Sequence, residues 1–162
     1  MTKMVDMRTY IGVCWQVQGW WMAWGSGFDD TFSKAKELQV KLAQFAHIGP
    51  NWGYHYVPDD SWLAYNGHDY VQLTKALVRE FIDRAHSYGM KTTGYMSPAM
   101  CEVRLAEAEY PDSILYNDGH PVHDNFMYPQ FYVMNPDPSL KYGAKLLEEA
   151  KGILDDWGFD GI

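Results

Sequence analysis

Adjacent carboxylates beside an aromatic ring are the groups in this sequence best suited to chemistry. Asp59 and Asp60 are neighbours, and Trp62 follows them by two positions. Charged carboxylate oxygens accept strong hydrogen bonds, and the vicinal hydroxyl groups of a sugar are suitable donors for them. A Trp ring adds a flat apolar face on which a sugar ring can stack. This grouping favours carbohydrate binding, while Pro-Asp-Asp-Ser is also a sequence that forms turns.

Two further aromatic residues are candidates for the same site. Trp24 lies in a loop, residues 19–28, that contains three tryptophans. Tyr95 stands at the end of a predicted strand, residues 91–96, where its side chain could also pack inside the fold. Aromatic residues make up 16% of the chain, far more than a disordered segment carries. Most of them are expected in a core, and those that face solvent suit sugar rings.

Charge and motif usage exclude several classes of protein. The 13 basic and 21 acidic residues give a net charge of -8, and the basic residues are not clustered, so neither nucleic acid nor an anionic membrane is an expected partner. No apolar run reaches the roughly 20 residues of a membrane span. The N-terminus lacks the apolar segment of a secretory signal, which favours a cytoplasmic location. Cys14 and Cys101 are expected to be free thiols, and the histidine spacing predicts no metal or cofactor.

The elements that position these residues alternate between strand and helix. Apolar periodicity predicts strands at 10–17, 53–57 and 91–96, the start of a fourth strand at 159–162, and helices at 31–47, 70–88, 102–109 and 139–157. This order predicts a single α/β domain over residues 1–162 with a parallel sheet. Two architectures fit, a doubly wound sheet and part of a (β/α)₈ barrel, which usually needs about 250 residues. No glycine-rich phosphate loop follows a strand, which argues against nucleotide binding.

Six segments carry a resemblance that covers most of the chain in the correct order. They are Gly-Trp-Trp-Met-Ala-Trp at 19–24, Val-Pro-Asp-Asp-Ser-Trp at 57–62, Gly-Met-Lys-Thr-Thr-Gly-Tyr-Met-Ser-Pro-Ala-Met at 89–100, Tyr-Pro-Asp at 110–112, Asn-Pro at 135–136 and Gly-Phe-Asp-Gly-Ile at 158–162. Together they resemble the first half of the catalytic barrel of α-galactosidase-type glycoside hydrolases. Ser97 and Ala99 stand where that family has two glutamates, and Tyr132 stands where it has an aspartate.

The resemblance implies a TIM-type barrel, of which this chain would supply about three and a half βα units. Retaining glycosidases use two carboxylates about 5–5.5 Å apart, and in this clan the nucleophile lies at the far end of strand four, beyond Ile162. The chain is therefore expected to hold substrate-binding residues without the catalytic pair. These residues are Asp59, Asp60, Trp62, Trp24 and Tyr95. The alternative is a non-catalytic carbohydrate-binding or scaffold domain that self-associates through its open strand edges.

Overall fold

The computed structural model describes residues 14–18, 28–46, 48–65, 70–124 and 130–162, in which strands and helices alternate. The strands are β1 (Cys14–Gln18), β2 (Leu42–Ala46), β3 (Ser61–Tyr65), β4 (Tyr70–Thr74), β5 (Lys91–Gly94), β6 (Met100–Glu102), β7 (Tyr116–Asn117), β8 (His120–Pro121) and β9 (Phe131–Val133). The helices are α1 (Phe28–Glu37), α2 (Lys75–Ser87), α3 (Val103–Glu109) and α4 (Lys141–Gly152), and α4 continues into a π-helical turn (Ile153–Trp157).

A parallel sheet of order β1-β2-β5 organises the fold. Its register places Gln16 opposite Gln44, and Gln44 opposite Thr93. Gly161 forms a parallel bridge with Thr93, which confirms the predicted start of a fourth strand. The α/β class and the parallel strands are therefore confirmed. Over the described ranges the sheet stays open, and the strands do not close into a barrel.

The second strand lies elsewhere than the sequence predicts. The predicted helix at 31–47 ends at Glu37, and β2 follows it at Leu42–Ala46. The predicted strand at 53–57 is instead a loop, next to an isolated bridge between Asn51 and Tyr54. Gln39 adopts a left-handed conformation, with φ of 58°, and this turn separates helix from strand. The helix-forming residues of Leu-Ala-Gln-Phe-Ala become a strand because pairing with two parallel neighbours outweighs a weak local propensity.

The predicted helix at 70–88 begins five residues late. Residues 70–74 form β4, which pairs antiparallel with β3, so that Ser61 lies opposite Thr74. Thr74 then caps α2, because its hydroxyl accepts a hydrogen bond of 3.1 Å from the Leu77 backbone N–H. The third strand ends at Gly94, two residues before its predicted end. The predicted helices at 102–109 and 139–157 are confirmed, the latter as α4 and its π-helical turn.

Two buried clusters hold the elements together. The first lies between the parallel sheet and helices α1 and α2, where Phe45 meets Phe81 with ring centroids 4.8 Å apart and Phe81 meets Phe32 at 5.4 Å. The second surrounds the fully buried Tyr142 and joins α4 to α3 and to the β6–β9 ribbon. None of the helices in the described ranges has both the length and the apolar content needed to cross a bilayer.

Candidate functional site at the carboxyl ends of the strands

Two aromatic rings meet where the chain leaves β2 and β5. Tyr95 follows β5 directly, and its backbone N–H donates a 3.0 Å hydrogen bond to the Phe45 carbonyl of β2. Its ring meets Trp52 edge to face, with centroids 6.1 Å apart. Both side chains are half-buried. The carboxyl ends of parallel strands are the edge at which α/β proteins bind their ligands, so this aromatic pair, Trp52 and Tyr95, marks the candidate site.

A buried tyrosine holds the turn behind the aromatic pair. Tyr142 of α4 places its hydroxyl 2.8 Å from the Met100 carbonyl and 3.1 Å from the Ser97 carbonyl. The Ser97 carbonyl also accepts a hydrogen bond from the His55 side chain. Helix α4 and the loop after β2 thus fix the segment that carries Tyr95. A site on this segment would be preorganised by contacts from two separate elements.

His55 and Glu149 form a buried polar contact between the loop after β2 and helix α4. The His55 backbone N–H donates a 3.0 Å hydrogen bond to Glu149 Oε2. The side chains are 5% and 0% exposed, and among the described residues neither His55 Nε2 nor Glu149 Oε1 has a hydrogen-bond partner. Burial raises the pKa of Glu149 to about 7 and lowers the pKa of His55 to about 4. Desolvation disfavours the charged form of both groups.

Asp59 and Asp60 do not directly follow a strand of the parallel sheet. Both are exposed residues in the bend that precedes β3, so the prediction that they terminate strand two is wrong. The Asp60 carbonyl accepts a 2.9 Å hydrogen bond from the Lys75 backbone N–H at the start of α2. The Lys75 ammonium lies 2.8 Å from Asp156. The pair belongs to the loop between β2 and β3, and its sugar-binding role stays a prediction.

The predicted aromatic residues fall into different places. Trp62 is 7% exposed and stacks on Trp157, with centroids 5.0 Å apart and ring planes 5° from parallel. Its indole N–H donates to the Ile48 carbonyl at 2.6 Å. These contacts explain Trp62 as part of the core, whereas Tyr95 packs on Trp52. Trp24 lies outside the described residues.

Trp52 is the member of the site that the sequence analysis missed. It lies in Gly-Pro-Asn-Trp-Gly, between the helix predicted at 31–47 and the strand predicted at 53–57. Because β2 ends at Ala46, this loop follows β2 in the chain, and Trp52 reaches Tyr95. The Gly-Pro pair at 49–50 marks a loop, but the local pattern does not show that a strand precedes it.

Asp160 is a carboxylate stabilised by several hydrogen bonds, and it lies at the other end of the sheet. Burial opposes its ionisation, but hydrogen bonds from Lys91, His86 and Thr92 lower its pKa to about 2. The closest contacts are 2.6 Å to Lys91 and 2.7 Å to His86. Lys91 is the first residue of β5, so these contacts lie at the amino ends of the strands. Barrel residues at that end serve stability.

The described residues offer no candidate metal centre, since they contain no group of three or more His, Cys, Asp or Glu side chains that could hold an ion. Cys101 is a free thiol with no exposed surface. Burial and the nearby Glu102 and Glu149 carboxylates raise its pKa to about 12. A thiol with this pKa is protonated at neutral pH and is a poor nucleophile.

Solved structures of carbohydrate-active enzymes share this fold. A cycloisomaltooligosaccharide glucanotransferase from Paenibacillus sp., complexed with cycloisomaltoheptaose, matches 94% of this chain with a TM-score of 0.67 at 14% identity. A maltogenic α-amylase from Thermotoga neapolitana matches 91% with a TM-score of 0.57 at 13% identity. An α-galactosidase from Thermus thermophilus, in complex with p-nitrophenyl α-D-galactopyranoside, matches 93% with a TM-score of 0.55 at 15% identity.

These similarities concern the fold. The matched region spans 23%, 37% and 29% of those three chains. No protein-family model matches the sequence, and no curated protein matches it. The predicted resemblance to glycoside hydrolases, including α-galactosidases, is confirmed at the level of structure.

Proposed function

We propose that this chain forms part of a glycoside hydrolase barrel and binds an α-linked oligosaccharide at the carboxyl ends of β2 and β5. One observation carries the proposal: Trp52 and Tyr95 meet at the carboxyl edge of a parallel sheet whose fold is shared with glycoside-active enzymes. Fold alone does not decide function. The half-buried rings at this edge supply the flat apolar surface that a sugar face needs.

The proposal gives residues of this chain binding roles. Trp52 and Tyr95 stack against a sugar ring, and Asp59 and Asp60 accept hydrogen bonds from hydroxyl groups that reach the loop before β3. The resemblance assigns the catalytic carboxylates to positions after the fourth strand. Residues 1–162 are accordingly proposed to recognise substrate rather than to cleave it.

The substrate class follows from what the neighbours with this fold are described as binding. Their complexes contain cycloisomaltoheptaose, p-nitrophenyl α-D-galactopyranoside and, in a second structure of the Thermus thermophilus enzyme, stachyose. All three ligands contain α-glycosidic bonds. The motif resemblance favours α-galactosides within this class, so stachyose is proposed to bind more tightly than the cyclic glucan.

Isothermal titration of the purified protein with stachyose, cycloisomaltoheptaose and the β-linked cellotetraose tests the proposal. Tyr95→Ala and Trp52→Ala are expected to weaken stachyose binding by about fivefold or more, since each removes a contact of roughly 1 kcal/mol. Tyr116→Ala is the matched control, because Tyr116 is an exposed tyrosine of the β7–β8 hairpin. Equal loss in Tyr95→Ala and Tyr116→Ala, or tighter binding of cellotetraose, would contradict the proposal.

A further inference from the structure

One face of the parallel sheet is covered by helices. A Cβ atom placed on Gly94 would lie 2.8 Å from Ile153 Cγ2 in the turn after α4. Phe45, which pairs with Gly94 in the register, packs on Phe81 of α2. Positions 45 and 94 therefore face the helices. Because side chains alternate along a strand, Gln44 and Thr93 face the opposite, inner side.

The register lines up polar residue types along this inner side. Gln44 and Thr93 occupy neighbouring positions on β2 and β5, and Gly161 follows next to Thr93. We call these three positions the inner row. Barrel interiors are usually filled by branched apolar side chains. The inner row instead places the Gln44 amide and the Thr93 hydroxyl at one level, beside a glycine that leaves its own position open.

Thr93 carries the observation that points to a ligand. Its side chain is 9% exposed, and its hydroxyl has no hydrogen-bond partner among the described residues. The neighbouring Thr92 faces the helices, and its hydroxyl donates a 3.0 Å hydrogen bond to Asp160 Oδ2. The Thr92 hydroxyl on the outer face thus has a hydrogen-bond partner, whereas the Thr93 hydroxyl on the inner face has none among the described residues. A buried hydroxyl without a partner is unfavourable, so a molecule that binds it gains a hydrogen bond.

The inner row lies directly below the aromatic pair. Thr93 precedes Tyr95 by two residues, so its Cα lies about 7 Å deeper along the strand direction. A Thr hydroxyl and a Gln amide each both donate and accept hydrogen bonds. Sugar hydroxyl groups require this combination.

We infer that Gln44 and Thr93 form the hydrogen-bonding floor of the sugar site and take hydroxyl groups of the ring that stacks on Tyr95. The inference rests on the proposed function and adds the residues that bind the polar edge of the sugar. Tyr95 and Trp52 then hold the apolar face, and the inner row selects sugars whose hydroxyl groups project toward it.

Paired threonine variants test this inference by calorimetry with stachyose and cycloisomaltoheptaose, and by urea unfolding. Thr93→Val keeps the side-chain shape and is expected to weaken binding of the preferred sugar roughly 2- to 10-fold, the effect of one lost hydrogen bond, without lowering the urea midpoint. Thr93→Ser restores the hydroxyl and is expected to restore affinity. Thr92→Val is the matched control on the outer face, and it should lower the urea midpoint without changing the affinity. Gln44→Met, at the half-buried neighbouring position, provides a second loss-of-affinity variant.

The outcomes separate the two claims. Wild-type affinity in both Thr93→Val and Gln44→Met would overturn the inference while leaving the proposed function in place. Absence of binding of either sugar by the wild-type protein would overturn the proposed function and this inference with it. A Thr93→Val protein that binds weakly while Thr93→Ser binds normally would support the inner row as the floor of the site.

Discussion

The buried contact between His55 and Glu149 predicts two opposite pH dependences of stability. Glu149 has a pKa of about 7 in the folded protein, against an ordinary value of 4.5. Between these values the folded protein keeps the proton that the unfolded chain has lost, so stability falls as pH rises. His55 has a pKa of about 4, against an ordinary value of 6.5. Between these values the unfolded chain binds the extra proton, so stability rises with pH.

The two effects overlap between pH 4.5 and 6.5, where they nearly cancel. Each contributes a slope of roughly 1 kcal/mol per pH unit, with opposite sign. Replacing one of the two residues should therefore reveal the pH dependence of stability that the other one causes. In Glu149→Gln, stability relative to the wild type is expected to rise by about 2 kcal/mol across this window. In His55→Gln, it is expected to fall by about the same amount.

The other titratable groups near Glu149 do not account for these pH dependences of stability. Lys145 and Glu148 flank it on the same helix, and Cys101, Tyr110 and Tyr142 of the second core are close enough for the Glu149 carboxylate to raise their pKa values. Burial raises the pKa values of the last three above their ordinary ranges, so they stay protonated throughout the window. Carboxylates elsewhere are common to every variant and cancel in the difference.

Urea unfolding followed by tryptophan fluorescence at half-unit steps from pH 4.5 to 6.5 measures the slopes. The glutamine side chains keep the size and hydrogen-bonding capacity of the positions, so both variants are expected to fold. The double variant should run parallel to the wild type, because both titrations are absent. Single-variant curves that also run parallel to the wild type would refute the assigned pKa directions.

Two further predictions concern packing and charge. Gly94→Ala should destabilise the protein by about 1–3 kcal/mol in urea unfolding, because the added methyl group overlaps Ile153. An unchanged urea midpoint would show that the helix layer can shift to accommodate the methyl group. Asp160→Asn should lower the free energy of unfolding by about 2 kcal/mol at neutral pH. This difference from the wild type should shrink as pH falls from 3.8 towards the folded-state pKa of about 2. A difference that is independent of pH would contradict the ion-pair explanation.

The sequence was informative where local pattern and tertiary environment agree. The β-prone segment that contains Tyr95 predicts a strand, and the helical periodicity after Ser139 predicts α4. Both are confirmed. The second strand is not predicted because Leu-Ala-Gln-Phe-Ala has helical propensity, and because the left-handed residue in the turn after α1 is Gln39 rather than glycine. Strand formation there depends on neighbours 28 and 49 residues away in the register, Cys14 and Lys91, which local pattern does not report.

The candidate site shows the same limit. Tyr95 was found because it ends a recognisable strand. Trp52 was missed because its importance depends on where β2 ends. The contact between His55 and Glu149 joins residues separated by 94 positions, and the unpartnered hydroxyl of Thr93 becomes apparent only once the sheet register is known. Burial and hydrogen bonding at long sequence separation are set by tertiary structure, so single-sequence patterns do not reveal them.

A crystal structure of the protein with stachyose tests the central claim most directly. The account predicts a sugar ring within van der Waals distance of Tyr95 and Trp52, with at least one hydroxyl group hydrogen-bonded to Thr93 or Gln44. A sugar bound on another surface, or an unoccupied carboxyl edge at saturating stachyose, would contradict the claim that this chain recognises α-linked oligosaccharides at the ends of β2 and β5.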